Sequence, residues 1–373
     1  MRVAYVHILP LEYYPPATNS LEIMSQRPEW TVRAWSSPNH RGLPTWTHPR
    51  VAVTRHVYTQ NKLSAVQRLL GYLLWHLRTA GELAAFKPDV IISIEPHSAI
   101  AIWMYFNVFR CAARLFIHHH ELYVPEDFEA AGMRLVRIAA RLEKNDLFSR
   151  AEWISETNRD RLNLLAVNAG IDPDKGRVLP NYPQLEWIQR AATRTPSHSD
   201  RVRIIYLGSA SLEHSFIEEF AHWIAVHPDV LSLDVIGNNI AEDAWAALEK
   251  IGASNISLNS HGISYHRLPE TLGSYDIGVI LYRGLTKNFV YNVPNKAIEY
   301  LAAGLDVWYP VQMLSMKTFA EESPHLPLVR LDFANLPAAA PQRIGSADSN
   351  IILSFSAEAA LEPMIEQIES GHK

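Results

Sequence analysis

The sequence predicts an α/β protein made of two doubly wound parallel sheets that follow each other along the chain. Its length of 373 residues corresponds to about two domains of ~150 residues each. Short runs rich in Val and Ile alternate with segments of helical period, which is typical of parallel sheets covered by helices on both faces. The alternation stops near residue 179 and resumes near residue 201.

The first half predicts one sheet with its covering helices. The strands are predicted at Val3–Ile8, Trp30–Trp35, Val51–Thr54, Val90–Ile94, Leu115–His118 and Trp153–Ser155. The helices are predicted at Leu63–Ala85, Ile100–Phe109, Met133–Phe148 and Arg159–Val167.

A boundary follows, because Leu179–Gln184 breaks the pattern and Thr195, Pro196, Ser197 and Ser199 are typical of a connector. We therefore expect a first domain over 1–182, a linker over 183–200, a second domain over 201–355, and a C-terminal helix over 356–373 that packs back on the first domain.

The second half predicts another sheet of the same kind. Its strands are predicted at Val202–Leu207, Val230–Ile236, Ile256–Leu258, Ile277–Tyr282 and Val307–Tyr309. Its helices are predicted at Leu212–Val226, Ala241–Ile251, Tyr265–Leu272, Pro294–Ala303, Ser315–Glu322 and Glu358–Ile368. Ligands of such sheets bind beyond the carboxyl ends of the strands, so a cleft between the two domains is the expected site.

Composition excludes several classes of protein. The 34 Lys and Arg against 39 Asp and Glu give a net charge of −5, which argues against a nucleic-acid binder. Residues 1–180 carry +4 (21 basic, 17 acidic) and the remainder −9 (13 basic, 22 acidic), which suggests domains with different partners. A single cysteine, Cys111, favours a reducing cytoplasm. The N-terminus lacks a signal-peptide pattern, and the apolar stretch Ala99–Ile117 is broken by charges.

The segment Tyr291–Gly304, which reads YNVPNKAIEYLAAG, carries the clearest chemical signal. Pro294 suits a helix start, and Gly304 suits a left-handed helix end. The amides of Asn295 and Lys296 then lie unpaired at the positive end of the helix dipole, where a diphosphate binds well. Asn292, Lys296 and Glu299 share one stripe of this helix. A surface helix whose Glu299 only complements the dipole is the alternative.

These residues resemble the C-domain signature of retaining GT-B glycosyltransferases of the family-four type, in the subgroup with Pro-x-Lys-x-x-Glu-Tyr-x-Ala-x-Gly. That fold has two Rossmann-like domains facing across a cleft. The resemblance implies that Glu299 holds the ribose hydroxyls and that Lys296 binds the diphosphate. Many members carry a second glutamate eight positions earlier, where this chain has Tyr291.

Other stretches resemble the same family in order along residues ~100–310. His120 and Glu121, in the stretch IHHHELY, are similar to a His-Glu-Leu segment of the first domain. The resemblance makes His120, Glu121, Lys296 and Glu299 the catalytic candidates. The remaining donor-binding candidates are Gly208, Ser209, Gly237, His261, Gly262, Arg283, Tyr291, Asn292 and Asn295.

This chain departs from the family pattern in two places. The Arg and Lys that usually follow the first C-domain glycine are missing from Ser209–His214, so His214, Arg283 or Lys287 is expected to replace them. The glycine pair after the first strand is also missing, and Thr18, Asn19 and Ser20 are expected to offer donors there, or to act only as an N-cap. With His97 they form the acceptor-side candidates.

The three successive histidines do not predict a metal site. Side chains alternate along a strand, so only His118 and His120 share a face, and Glu126 or Asp127 would have to complete a ligand set. The resemblance likewise implies no metal and no other cofactor beyond the nucleotide-sugar. Because no Gly-x-Gly-x-x-Gly is present, the sequence lacks the fingerprint of a nicotinamide or flavin oxidoreductase.

Two helical patterns carry basic residues, and each has two interpretations. Arg134, Arg137, Arg141 and Lys144 line one side of the first. In the second, Lys62, Arg68 and Arg78 flank a leucine series, and Trp75 lies nearby; the series is Leu69, Leu70, Leu73, Leu74 and Leu77. A core-packed helix with a solvated charged face is the favoured interpretation. Docking on the anionic inner leaflet of a membrane is the alternative.

The sequence thus predicts a cytoplasmic, metal-independent, retaining hexosyltransferase that moves a sugar from a nucleotide-sugar to a glycan or lipid-linked acceptor. The resemblance suggests bacterial surface or exopolysaccharide synthesis, with no nucleic-acid partner. A non-catalytic GT-B homologue that binds a nucleotide and scaffolds a polysaccharide complex is the alternative. A GT-B epimerase or inverting enzyme would need an acid or base near Asn19 or His97.

Overall fold

The computed structural model describes residues 1–40, 42–57, 64–129, 132–192, 201–339, 343–345 and 349–371. The chain divides into two compact units. The first unit comprises Met1–Asn181 and Ala360–Lys373, and the second unit comprises Tyr182–Ala359.

The first unit is built on a parallel sheet of seven strands among the described residues. They are β1 (Arg2–Val6), β2 (Thr31–Ser36), β3 (Val51–Arg55), β4 (Val90–Ile94), β5 (Arg114–His119), β6 (Trp153–Glu156) and β7 (Gly176–Val178). Their order is β3-β2-β1-β4-β5-β6-β7. The order reverses between β1 and β4, which makes their carboxyl ends the switch point, where such sheets bind ligands.

Helices cover this sheet because apolar side chains recur on one face of each. They are α1 (Pro15–Ser25), α2 (Ala65–Phe86), α3 (Ala99–Asn107), α4 (Arg134–Leu142), α5 (Phe148–Arg150) and α6 (Arg159–Ala169). The Ser64 hydroxyl accepts from the Gln67 amide at the start of α2, and the Gln67 side chain accepts from the Ser64 amide in return, a capping box that fixes where the helix begins. α3 packs against both α2 and α4.

The second unit repeats the plan with six parallel strands in its described part. They are β8 (Val202–Leu207), β9 (Leu231–Ile236), β10 (Ile256–Asn259), β11 (Ile277–Val279), β12 (Asp306–Pro310) and β13 (Leu328–Leu331). The order is β10-β9-β8-β11-β12-β13, so the switch point lies between β8 and β11.

Helices α7 to α14 belong to this unit. They are α7 (Leu185–Ala191), α8 (Ile217–Ala225), α9 (Glu242–Ile251), α10 (Leu268–Leu272), α11 (Lys287–Val290), α12 (Asn295–Ala302), α13 (Leu314–Glu322) and α14 (Ser349–Leu353). Short 3-10 segments cover Leu11–Tyr13, Pro96–Ser98, Pro125–Glu129, Pro173–Lys175 and Tyr265–Arg267, and Glu143–Leu147 is a π-helical turn.

The last helix, α15 (Ala357–Ser370), begins in the second unit, and its residues from Ala360 onward belong to the first. Its apolar series Leu361, Met364, Ile365 and Ile368 is buried, as the helical spacing predicts. Arg114 donates to the carbonyls of Gln367 and Ile368, and Arg27 donates to Glu362. This helix therefore packs on the first unit.

The predicted α/β class with two parallel sheets is confirmed. The predicted elements did not include β7 and β13, which are short edge strands, the short helices α11 and α14, or α7, which lies where the sequence indicated a linker. α7 forms because Trp187, Ile188 and Ala191 bury one face in the core of the second unit. The rest of the predicted linker, 193–200, lies outside the described residues, as does Lys62. No helix in the described part of the chain is long and apolar enough to span a membrane.

Candidate functional site

In the second unit, a small pocket lies at the switch point. It is lined by the last residues of β8 and the turn after it, by the end of β11, and by Lys296. The predicted donor residues Gly208 and Ser209 line this pocket together with Lys296. The fold thus brings Lys296 to the same pocket as Gly208 and Ser209, which lie nearly 90 positions earlier in the sequence.

Lys296 and Glu299 lie in the first two turns of α12. The helix begins at Asn295, its N-cap is Pro294, and no side chain caps it. As at any helix start, the first amides lack intrahelical acceptors and carry the positive end of the dipole. The Lys296 Nζ lies 2.7 Å from the Glu299 Oε2. Glu299 is only 2% exposed, so the alternative of a surface glutamate is wrong.

Tyr300, on the side of α12 that packs on the sheet, fixes the position of this helix. Its ring packs against Gly278 in β11, where a Cβ would lie 2.1 Å from the ring. Its hydroxyl accepts a hydrogen bond from the Leu207 amide at the end of β8. Because Tyr300 contacts both switch-point strands, it holds the first turn of α12 at the carboxyl edge of the sheet.

A larger pocket of about 380 Å³ lies beyond β9 and β10. It is lined by Gly237, by Ser260, and by side chains of α9 that include Trp245. A Cβ on Gly237 would lie 2.0 Å from the Gly208 carbonyl oxygen, so only glycine lets the two turns approach this closely. His261 directly follows Ser260, and Gly262 has a left-handed φ of +69° and packs against Asn238.

The remaining donor candidates are less uniform. Tyr291 and Asn292 lie between α11 and α12, and Asn295 is the first residue of α12. Arg283 donates through Nε to the Leu212 carbonyl and pairs with Glu219. Its guanidinium therefore has protein partners within its own unit. His214 has a side chain that is 45% exposed, and Lys287 is the first residue of α11.

In the first unit, His120 lies just beyond β5 and is buried. Its Nδ1 lies 2.8 Å from the Asn181 Oδ1 and 3.2 Å from the His118 Nε2. A proton on Nδ1 donated to Asn181 leaves Nε2 as an acceptor, and Nε2 has no partner among the described residues. Burial lowers the pKa of His120 to about 4, so the imidazole is neutral at pH 7.

Glu95, directly after β4, holds the backbone of this segment. Its Oε1 accepts from the amides of His120 at 2.8 Å and Glu121 at 3.1 Å. Its backbone has φ 62° and ψ 150°, a region that costs a non-glycine residue about 1–3 kcal/mol. Burial raises its pKa to about 8.

His119 points to the opposite side of β5 from His118 and His120, as the alternation along a strand predicts. Its Nε2 lies 3.2 Å from the Glu143 carboxylate, and its Nδ1 lies 3.8 Å from Glu156. Burial alone would lower the pKa of His119, but these two carboxylates raise it to about 9. Burial raises the pKa of Glu156 to about 7.

More imidazoles lie around the switch point of this sheet. His7 follows β1 and is fully buried, and its ring packs edge-on against Tyr14 with centroids 4.8 Å apart. Burial lowers its pKa well below the usual value. The predicted acceptor-side residue His97 lies 3.5 Å from the Tyr123 hydroxyl, and burial lowers its pKa to about 4.

The prediction that Thr18, Asn19 and Ser20 begin a helix is wrong. They lie inside α1, whose N-cap is Tyr14. The Thr18 and Ser20 hydroxyls donate to the carbonyls of Pro15 and Pro16 in their own helix, and Asn19 is buried. Pro15 and Pro16 explain the earlier start, because proline suits the first turn of a helix.

The described residues include no group of three or more His, Cys, Asp or Glu side chains arranged to hold a metal ion. His118 and His120 contact each other, whereas Asp127 accepts from the Val124 amide in its own 3-10 turn.

Sequence reasoning missed Glu95, Arg161 and Asn181 as parts of this site. Each lies at or just beyond the carboxyl end of a strand or in the helix after it, and that position was the available signal. The contacts themselves join residues 25 to 61 positions apart, and no local pattern encodes them.

The sequence matches no protein-family model and no curated protein sequence. Solved structures are nevertheless similar over the whole chain. An α,α-trehalose-phosphate synthase (UDP-forming) from Burkholderia vietnamiensis has a TM-score of 0.69 at 11% identity, covering 99% of this chain and 100% of that one. Anabaena HepE in complex with UDP-glucose has a TM-score of 0.67 at 12% identity, with coverages of 99% and 100%.

A putative UDP-N-acetylglucosamine 2-epimerase from Listeria monocytogenes is also similar, with a TM-score of 0.63 at 10% identity and coverages of 100% and 96%. The chain therefore has the GT-B fold, with two Rossmann-like α/β units. The predicted fold class is confirmed, and at these identities the likeness concerns the fold.

Proposed function

We propose that the protein is a nucleotide-sugar-dependent glycosyltransferase that transfers the sugar to a glycan or lipid-linked acceptor with retention of configuration. The observation that carries this proposal is the Lys296–Glu299 pair at the uncapped start of α12, beside the switch-point pocket. One neighbour of the same fold, Anabaena HepE, was solved with UDP and with UDP-glucose bound, which favours a uridine nucleotide as donor.

The second unit has the chemistry that a sugar-diphosphate requires. The Lys296 ammonium and the first amides of α12 present positive charge to a diphosphate. Glu299 is a buried carboxylate that accepts hydrogen bonds, and we assign it to the ribose hydroxyls, as the family resemblance implies. We place the base in the pocket lined by Gly237 and Trp245.

The first unit supplies a neutral hydrogen-bond acceptor, the side chain of His120. With its proton held on Nδ1 by Asn181, His120 offers the Nε2 lone pair to a hydroxyl of the transferred sugar or of the acceptor. As the bond between the sugar and the diphosphate breaks, charge grows on the diphosphate, and fixed cations and amides stabilise it. Lys296 and the start of α12 fill this role in the proposal, and no metal takes part.

The scaffold alternative is not favoured. Its support was the absence of the Arg and Lys after Gly208 and of the glycine pair after β1. Against it, His120 keeps a buried nitrogen that has no partner in the described part of the chain, and a scaffold would not need this feature. The pocket lined by Lys296, Gly208 and Ser209 is expected in both cases, because both proteins bind a nucleotide.

Nucleotide release from a panel of UDP-, GDP- and TDP-sugars tests the proposal, with the anomeric configuration of the product read by NMR. We expect turnover with one donor class and its loss in Glu299→Ala. Glu321→Ala is a matched control, because Lys317–Glu321 is an exposed Lys–Glu pair on α13. Binding without turnover on any acceptor would favour the scaffold, and a changed sugar without transfer would indicate an epimerase.

We further propose that α2 docks the protein on an anionic membrane, which places a cytoplasmic enzyme at the inner leaflet. The interpretation of its leucines as core is wrong, because one side of the helix is apolar and exposed. The exposed residues are Val66, Leu69, Leu70, Leu73, Leu74 and Leu77. Tyr72, Trp75 and Leu83 on the other side are buried. A helix that is apolar on both sides normally has both sides covered.

The charge around this apolar side of α2 favours an anionic membrane over a second copy of the protein as the partner that covers it. Arg68 and Arg78 flank the apolar side of α2 and are exposed. On α4, which packs beside α3, Arg134 and Arg141 flank the exposed Ile138. An apolar face with arginines around it fits an anionic leaflet.

Sedimentation with phosphatidylcholine vesicles, with and without phosphatidylglycerol, tests this docking. We expect binding that needs the anionic lipid and that falls about tenfold or more in Leu70→Gln/Leu77→Gln, because two apolar side chains no longer insert. Val167→Gln, at an isolated exposed valine of the same unit, is the control. Two results together would contradict membrane docking: no binding to the vesicles, and a dimer in solution that Leu70→Gln/Leu77→Gln abolishes. They would assign the exposed apolar side of α2 to contact with a second copy of the protein.

A further inference from the structure

Glu95 has a backbone conformation that its residue type disfavours. Three non-glycine residues in the described ranges have a positive φ: Lys87, Glu95 and Arg110. Lys87, with ψ 63°, is an ordinary left-handed helix end. Glu95, with ψ 150°, has a backbone conformation that essentially only glycine adopts without strain. A strained residue persists when its surroundings need the side chain it carries.

The Glu95 side chain is fully buried and acts on one short segment. Its Oε1 accepts from two successive amides, those of His120 and Glu121, and its own amide donates to the His118 carbonyl. The strained backbone therefore places a carboxylate under the turn that follows β5. A glycine here would remove the strain and also the acceptor.

Arg161 on α6 holds the same residue from its other end. Its guanidinium donates to the His120 carbonyl at 2.8 Å and to the Thr157 hydroxyl at 3.2 Å, and it is 1% exposed. With Glu95 on the amide and Arg161 on the carbonyl, both backbone polar groups of His120 are held by buried polar side chains. Asn181 and His118 hold the ring at Nδ1.

We propose that Glu95 and Arg161 are positioning residues that fix the backbone of His120 so that its Nε2 faces the reacting sugar. This inference rests on the proposed function and deepens it. Both side chains are buried, so we assign neither to a contact with substrate. Their effect reaches the reaction only through His120, and that dependence can be measured.

The test compares Glu95→Gly, Glu95→Gln and His120→Ala in the full-length protein. We expect Glu95→Gly to lower kcat about 100-fold, because small displacements of a reacting group carry penalties of that size, while KM for the donor changes little. Glu95→Gln keeps an oxygen acceptor and should retain about a tenth or more of kcat. Arg110→Gly is the control, because it also places glycine at a positive φ, on an exposed loop.

The double variant Glu95→Gly/His120→Ala separates positioning from a merely structural role. If Glu95 acts through His120, the second substitution adds nothing to the loss from the first. Multiplied losses, or a wild-type kcat in Glu95→Gly, would overturn the proposal. Equal impairment of Glu95→Gln and Glu95→Gly would overturn it as well.

Hydrogen–deuterium exchange of the segment around His120 gives a readout without substrate. The contacts of Glu95 and Arg161 with the His120 backbone, here called the clamp, predict faster exchange of the His120 and Glu121 amides in Glu95→Gly. Exchange should be unchanged in Arg110→Gly. If Glu95→Gly does not fold, Glu95→Gln and Arg161→Lys are compared in the same way. If no donor is turned over, the proposed function fails while exchange still tests the clamp. If donors are turned over and Glu95→Gly is fully active, the clamp alone fails.

Discussion

The two units have the same parallel, doubly wound plan and opposite chemistry at their switch points. In the first unit the carboxyl edge is filled by buried imidazoles and carboxylates, with His7 beyond β1, Glu95 beyond β4 and His120 beyond β5. In the second unit the corresponding edge has glycine turns, pockets and the Lys296–Glu299 pair. The same fold can therefore carry either a set of neutral hydrogen-bond acceptors or a cationic binding site.

Burial explains the difference. It lowers the pKa of His97 and His120 to about 4 in the first unit, and it raises the pKa of Glu95 to about 8. In the second unit, burial raises the pKa of tyrosines such as Tyr300, and hydrogen bonds lower the pKa of the Glu270 and Asp332 carboxylates. Among the described residues, the groups whose pKa is shifted to a value between about 4 and 9 therefore lie in the first unit, and folding stability there depends on pH in that range.

The largest expected effect is in the second unit. Lys296→Ala should lower kcat/KM for the donor by about 100-fold or more, because it removes a cation from the diphosphate and leaves Glu299 buried without its partner. Steady-state nucleotide release checks this, with Lys317→Ala as the matched control. An unchanged donor KM and kcat would break the comparison, since the second unit would then not be the cationic site.

His120→Ala in the first unit should lower kcat by about 100-fold while donor binding stays within a few-fold. In the proposal, the Nε2 of the imidazole accepts a hydrogen bond from the reacting sugar and makes no contact with the diphosphate. Single-turnover rates and nucleotide binding by calorimetry separate the two quantities. His40→Ala, on an exposed loop of the same unit, should leave both unchanged. A loss confined to nucleotide affinity would contradict the division of roles.

Gly278→Ala should destabilise the second unit by about 1–3 kcal/mol, because the new Cβ would overlap the Tyr300 ring. Donor affinity should fall with it, since Tyr300 positions α12. In the first unit, Gly81→Ala should instead stabilise α2 by about 0.4–1 kcal/mol, because its nearest contact is Phe109 at 3.8 Å. Urea unfolding of both variants measures the pair. Equal effects would mean that the close approach at Gly278 does not constrain the second unit.

The smallest effect is a pH dependence confined to the first unit. The pKa of His119 is raised to about 9 between Glu143 and Glu156, and that of Glu95 to about 8. The folded state therefore keeps protons that the unfolded chain loses, and stability falls as pH rises from 7 to 9. Below pH 6.5, His97 and His120 charge only on unfolding, so stability falls again.

Hydrogen exchange between pH 6 and 9, corrected for intrinsic rates, should show this loss in the core of the first unit. Glu143→Gln should flatten the alkaline loss, because His119 would lose its main charge partner. A steeper dependence in the core of the second unit would reverse the comparison.

Much of the fold follows from local pattern. Near-continuous Val and Ile runs predicted the long central strands, and the helical spacing of Leu361, Met364 and Ile365 predicted the buried side of α15. The edge strands β7 and β13 were missed because strands of three and four residues carry little period. For α2, sequence spacing could not decide which of two apolar sides packs on the sheet.

The sequence by itself determined the parallel α/β class, the helix that starts near Pro294, and the alternation that separates His119 from His118 and His120. These features depend on residues within a few positions of one another, so steric preference and side-chain period fix them. Only the tertiary structure decided that Glu95 and Arg161 hold His120, that Arg283 pairs with Glu219, and that Lys296 and Gly208 line one pocket. Those contacts arise from strand order and burial, which bring distant residues together and which no local spacing records.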